Sequence, residues 1–190
     1  MNPTPATPSI LFVCTGNVCR SPYMEYRLRA LIEGTAPAIQ IYSAGTRAAE
    51  NSPMSPPMAR RLDEQSIDPS RFGATLLRRD HVDAATVVIT ATRAHRRDVV
   101  HLQPDAAERT FTLAQLARLL RAAPPHQPPA ASVAELIEIA LGARGAAPLG
   151  RPEDDDLEDP WRRSRRVYGR VADRIDDLLI PLAQRLAAGA

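Results

Sequence analysis

Lysine is missing from this sequence: all 24 basic residues among its 190 are arginine. That excludes the lysine-bearing phosphate loop of nucleotide-binding proteins. Cysteine is scarce, at two residues, too few for a disulfide framework, so a reducing cytoplasmic location is expected. Aromatics make up only 4%, which points to an aliphatic core. No apolar run approaches the length of a membrane span, and Met1-Asn2-Pro3-Thr4-Pro5 lacks the basic and apolar segments of a secretory signal. No membrane partner is expected. The formal net charge of +2 is too small to indicate nucleic acid. Pairs such as Arg60-Arg61, Arg78-Arg79 and Arg162-Arg163 read as helix surface. No Gly-x-Gly-x-x-Gly marks a dinucleotide, and the two cysteines and four histidines show no ligand spacing. Neither a cofactor nor a metal is expected.

The order of elements is the first positive signal. Residues 1–8 read as a flexible tail and 9–190 as one domain, with a Pro-rich and helical insertion at about 122–156. Ser9 to Cys14, Ile39 to Ser43, Ala85 to Ala91 and Arg109 to Leu113 read as strands. The first helix carries Met24, Leu28, Leu31 and Ile32 on one face, and others follow at the Pro-rich segment to Glu64, His95 to His101, and Ala114 to Ala122. Ser132 to Leu141 reads as an isolated helix capped by Ser132, with Glu135 at capping-box spacing. A last helix is predicted from about Trp161 to Leu186, with Pro181 as a potential kink. Strands alternating with helices predict an α/β fold: a doubly wound, mostly parallel four-stranded sheet with helices on both faces. Ligands in such folds sit beyond the carboxyl ends of the strands.

At the first such end lies Cys14-Thr15-Gly16-Asn17-Val18-Cys19-Arg20-Ser21-Pro22. Seven residues between a strand and a helix can curl so that backbone N–H groups converge on an anion. The helix N-terminus adds partial positive charge. Gly16 leaves the ring uncrowded, and Asn17 tolerates left-handed dihedrals and can tie the loop to itself. The same field would favour a thiolate on Cys14, making it a nucleophile. Arg20 offers a planar fork for two phosphoryl oxygens. Ser21 could donate a hydrogen bond to the thiolate.

Breaking a phosphate ester also needs a proton donor. Six of the nine residues in Glu153–Trp161 are acidic. Asp159 stands out because Pro160 holds it extended and Trp161 sets an aromatic face beside it. Crowding among the carboxylates would favour protonation. Glu158 is the local rival, and Trp161 either stacks on a substrate ring or anchors the last helix.

"LFVCTGNVCRSP" resembles the signature of the low-molecular-weight protein tyrosine phosphatases. "SAGT" at Ser43–Thr46, "VVITAT" and the Asp-Pro-aromatic motif extend the resemblance along most of the chain. It implies Cys14 as nucleophile, Arg20 as phosphate clamp, Asp159 as general acid and base, and Ser21 and Asn17 in support. Thr15, Gly16, Asn17, Val18, Cys19 and Arg20 would form the binding loop, with Trp161 as an aromatic contact. The implied activity is hydrolysis of phosphotyrosine in a protein, or of a small aryl phosphate, through phosphocysteine. Related alternatives are a protein-arginine phosphatase and an arsenate reductase using an external small thiol. Within the family, arginine-directed members typically carry threonine where this chain has Val18, so Val18 favours an aryl phosphate. The resemblance also implies that Cys19 could pair with Cys14 on oxidation. Two departures are expected: no histidine near Phe72-Gly73 to support Glu25, and no aromatic pocket wall in Arg47–Asn51. The segment of about 121–156 is expected to overhang the site.

Overall fold

Ser9–Cys14 (β1) is buried at every position, as a strand covered on both faces must be. Successive side chains alternate: Ile10, Phe12 and Cys14 enter one apolar cluster, and Leu11 and Val13 the other. Each fully buried aliphatic or aromatic side chain stabilises the fold by roughly 1.5–3 kcal/mol over its exposed state. A computed structural model describes residues 7–34, 38–124 and 130–187. Within these, β1 is central. It pairs with Gln40–Gly45 (β2) on one side and with Val87–Thr90 (β3) on the other, and β3 pairs with Thr110–Thr112 (β4). All four strands are parallel, in the order β2-β1-β3-β4. The chain therefore reverses its winding at β1, and the crevice at the carboxyl ends of β1 and β3 is the switch point where such sheets hold ligands.

The larger face is covered by Arg20–Leu31 (α1), Pro56–Asp63 (α2), Leu113–Ala122 (α5), Val133–Gly142 (α6) and Arg165–Ala187 (α7). Met24, Leu28, Leu116, Leu136, Ile175 and Leu179 bring them into one core. The smaller face is closed by Arg79–Ala84 (α3) through Val82 and by Arg93–Leu102 (α4) through Val99. Thr92, Thr112 and Ser132 cap α4, α5 and α6 by accepting the N–H three residues on.

Several expectations shift. Helix α3 was not anticipated, because its charged sequence buries only Val82. Helix α7 begins at Arg165, not Trp161, because Arg162 is left-handed at φ 59° and Arg163 N–H bonds back to the Pro160 carbonyl in a turn. It runs through Pro181 without ending. Helix α6 is not isolated: Val133, Leu136, Ile139 and Ala140 are buried in the main core. The tail at 1–6 and the prolines at 125–129 lie outside the described residues. Among the described residues, no helix is long and apolar enough to cross a membrane.

Candidate active site

The loop leaves β1 at Cys14 and enters α1 at Arg20. Cys19 is the residue before the helix, and no side chain caps it, so the first N–H groups of α1 have no side-chain acceptor. Asn17 takes φ 50° and is fully buried. Its amide donates to Ser21 Oγ and Ser43 Oγ, both at 2.8 Å, and its carbonyl oxygen accepts the Thr75 N–H at 2.8 Å. Ser43 donates to Glu25 Oε2 at 2.6 Å. The asparagine thus ties the loop to β2 and α1. Beneath it lies Gly45, the last residue of β2, where an added Cβ would stand 2.5 Å from the Thr15 carbonyl oxygen and 2.7 Å from the Asn17 nitrogen. Only glycine leaves the ring that space.

Cys14 Sγ lies 3.0 Å from Ser21 Oγ. Ser21 Oγ accepts from Asn17, so its single hydrogen goes either to the sulfur or to the Ala44 carbonyl, 3.3 Å away. An anionic sulfur would claim it. The second cysteine is a different species. Cys19 donates its thiol to Ser55 Oγ at 3.2 Å, and burial pushes it up to about 11. It is a neutral thiol filling space beside the loop.

His95 braces the loop from the other side and was not foreseen. Its Nε2 meets Thr15 Oγ1 at 2.8 Å, and its Nδ1 meets Thr92 Oγ1 at 2.7 Å. Burial, then the Arg20 charge, pushes it down to about 4, so the ring is neutral and joins the start of α4 to the start of the loop. Sequence gave no local sign of this, since the contact spans 80 positions.

Arg20 is 4% exposed. One terminal nitrogen donates to the Leu157 carbonyl at 3.2 Å, and the other pairs with Asp159 Oδ2 at 2.7 Å. Its Nε–H is buried and has no partner, an uncommon state for so strong a donor. Asp159 is half exposed, and its Oδ1 accepts the Trp161 N–H at 3.1 Å. Glu158 turns instead to Arg170 at 2.8 Å.

The carboxylates of the acidic run are spread among arginines rather than crowded against one another, contrary to expectation. Arg151 faces Glu153 and Asp154, Arg118 faces Asp155, and Arg93 faces Asp156. The Arg151 hydrogen bond holds Asp154 below the usual carboxylate range. Burial opposes the charge on Asp156, but hydrogen bonds from Arg93 outweigh it and hold that carboxyl low as well.

Cys14, Thr15, Gly16, Val18, Cys19 and Arg20 form one end of a cavity of about 830 Å³. Asp159 and the half-exposed Trp161 line another part of it. Arg47 also faces it, and the remaining wall is Ala49, Pro53, Met54, Ala59 and their neighbours. The wall without an aromatic is thus closed by aliphatic side chains from the Pro-rich segment and α2. No described residue of 121–156 lines the cavity, so the expected overhang is not seen. Near Phe72, where a supporting histidine was missed, the ring packs edge-on to Tyr26 at 6.1 Å between centroids. Glu25 is held by Ser43 and Arg29 instead. Among the described residues, no group of His, Cys, Asp and Glu could hold a metal ion.

Residues 9–123 match the family model for low molecular weight phosphotyrosine protein phosphatase. The chain belongs to this family. A protein-arginine-phosphatase from Geobacillus stearothermophilus is 30% identical over 178 residues, covering 93% of this chain and 95% of that protein. A probable low molecular weight protein-tyrosine-phosphatase, EpsP, from Ralstonia solanacearum is 29% identical over 108 residues, covering 57% and 72%. Among solved structures, a low molecular weight protein tyrosine phosphatase from T. tengcongensis superposes with a TM-score of 0.71 at 26% identity, covering 95% of this chain and all of that one. In this low molecular weight phosphatase the loop lies at the junction of β1 and α1, and the curated relatives matched over 93% of the chain are protein-arginine-phosphatases, from Geobacillus stearothermophilus and Bacillus subtilis.

Proposed function

We propose that this phosphatase hydrolyses phosphotyrosine in proteins, and similar aryl phosphates, through a phosphocysteine on Cys14. The observation that carries this reading is the buried, unpartnered Nε–H of Arg20, which lines the same cavity as Cys14. A phosphoryl oxygen supplies the acceptor that this donor lacks.

The Cys14 thiolate attacks phosphorus while the bond to the aryl oxygen breaks. Asp159 gives its proton to that oxygen. Arg20 and the loop N–H groups hold the equatorial oxygens, where charge is spread in the transition state. Water then attacks phosphocysteine, Asp159 takes its proton, and the sulfur leaves as a thiolate that accepts a hydrogen bond from the Ser21 hydroxyl. The Arg20–Asp159 pair suits a resting state. A bound phosphate competes for Arg20, and its own negative charge favours the protonated carboxyl that the first step requires. Thr15, Gly16, Asn17, Val18 and Cys19 shape the binding ring, and Trp161 offers the ring a face.

The side chains of Val18, Ala49, Pro53, Met54 and Ala59 give the cavity a largely apolar wall, and Arg47 adds a charge like that of a phosphoguanidinium; both favour an aryl group, although Asp159, Ser52 and Ser55 also line the cavity as acceptors. A second reading, a protein-arginine phosphatase, is favoured by the likeness over nearly the whole chain to the Geobacillus protein. A panel of phosphotyrosine, phosphoserine and phosphoarginine peptides separates them. Phosphotyrosine should be turned over well above phosphoarginine. Equal rates would overturn the aryl preference, and faster phosphoarginine turnover would install the second reading.

A further inference from the structure

Each carboxylate from Glu153 to Asp159 faces an arginine, Arg151 serving two of them, but just beyond the charges go unmatched. Arg162, Arg163, Arg165 and Arg166 are all exposed, and none pairs with a carboxylate among the described residues. Arg60 on α2 is also exposed and without a carboxylate partner among the described residues, and it lines a groove between α2 and α7 with Arg165, Arg61 and Glu64, the last two paired with each other. Arg47 faces the cavity without an acidic partner. Arg47 lines the site's cavity, and Arg162 lies 5.9 Å from the ring centroid of Trp161, another lining residue. Arg60 and Arg165 line the separate groove between α2 and α7, and Arg163 and Arg166 are the sequence neighbours of Arg162 and Arg165.

Helix physics speaks against this placement. The N-terminal end of a helix carries partial positive charge and favours Asp or Glu. The first turn of α7 has no acidic residue and begins with two arginines. Two more precede it, one of them in left-handed backbone. Local rules broken in this way mark functional positions.

We propose that this arginine rim binds acidic residues flanking the phosphorylated residue, so that the substrates are phosphorylated protein segments rich in Asp and Glu. The inference rests on the protein-phosphatase reading above. An extended peptide advances roughly 3.3 Å per residue, so side chains a few positions from one seated on Arg20 reach the rim. Individually such surface pairs are weak, but together they steer an anionic segment to the site. A nucleic acid fits less well, because the patch is short and the arginines beyond it are neutralised by the acidic run.

The test compares phosphopeptides of equal length, flanked by Asp and Glu or by Ser and Gln, each in phosphotyrosine and phosphoarginine forms. Wild type and R60Q/R163Q/R165Q/R166Q are assayed, with p-nitrophenyl phosphate as the reference. At low salt the wild type should favour the acidic peptide in kcat/KM by about ten-fold, a typical steering gain. The variant should lose that preference, turn over p-nitrophenyl phosphate at the wild-type rate, and melt no lower than wild type, because it relieves like charge at the start of α7. Equal turnover of acidic and neutral peptides by wild type, or an undiminished preference in the variant, would overturn the rim alone. Failure to turn over any phosphopeptide while p-nitrophenyl phosphate is hydrolysed would remove the protein-phosphatase reading, and the rim with it. Stronger inhibition by an oligonucleotide than by polyglutamate of equal charge would assign the patch to nucleic acid and overturn the proposal.

Discussion

The Cys14–Arg20 loop and the Glu153–Trp161 segment, proposed to bind phosphate and to supply the acid, meet at Arg20, yet they are built by opposite means. Cys14–Arg20 is largely buried, and its side chains are tied by short hydrogen bonds to β2, α1 and α4. Glu153–Trp161 is mostly exposed and is held by ion pairs from arginines on several elements. Covalent attack on phosphorus needs atoms placed to a fraction of an ångström, which packing and buried hydrogen bonds supply. Proton delivery has to follow leaving groups of different shape, and exposed ion pairs, each contributing about 0–1 kcal/mol, leave that freedom.

The sharpest way to break the comparison is Cys14→Ser. Turnover should fall by roughly 10⁴-fold or more, while vanadate or phosphate still binds, because the ring and Arg20 are intact. Surviving activity would refute the covalent route. Asp159→Asn should cost less, about 10²–10⁴-fold in kcat on phosphotyrosine. The loss should shrink for aryl phosphates whose oxygen leaves without a proton. A uniform loss across leaving groups would show that Asp159 only positions Arg20.

The smallest effect belongs to His95. Its folded value of about 4 lies below the usual 6.5, so folding holds it neutral. That contribution is complete above pH 6.5 and is lost as pH falls toward 4. It amounts to up to roughly 3 kcal/mol at about 1.4 kcal/mol per unit. Urea midpoints measured across that window should fall less steeply in His95→Gln than in wild type, and matching curves would remove His95 as the acid-sensitive brace.

The loop could be read as one unit because the proposed nucleophile, ring and clamp are contiguous, within seven residues at a strand end. Asp159, proposed as the acid, could be singled out because Pro160 and Trp161 follow it directly, and it meets Arg20 in the fold. What escaped was contact across the chain. Ser43 and His95 reach the loop from 26 and 80 positions away, and Glu25 supports it only through Ser43; Ser43 and Glu25 entered the sequence reading through the family resemblance, and nothing local marks His95. The acidic run was misread for the same reason. Its charges look crowded in one dimension, but Arg93 and Arg118 arrive from 63 and 37 positions earlier to neutralise Asp156 and Asp155. The start of α7 was placed too early because only the backbone reveals the left-handed Arg162.

Gly45 has a consequence for anyone wishing to move this chemistry elsewhere. The bare α-carbon beneath the ring sits on β2, in a different segment from the cysteine it serves. Transplanting the seven loop residues onto a foreign strand and helix would carry the sulfur and the guanidinium but leave behind the mould that shapes them. The portable unit is two neighbouring strands with the gap between them, not a peptide.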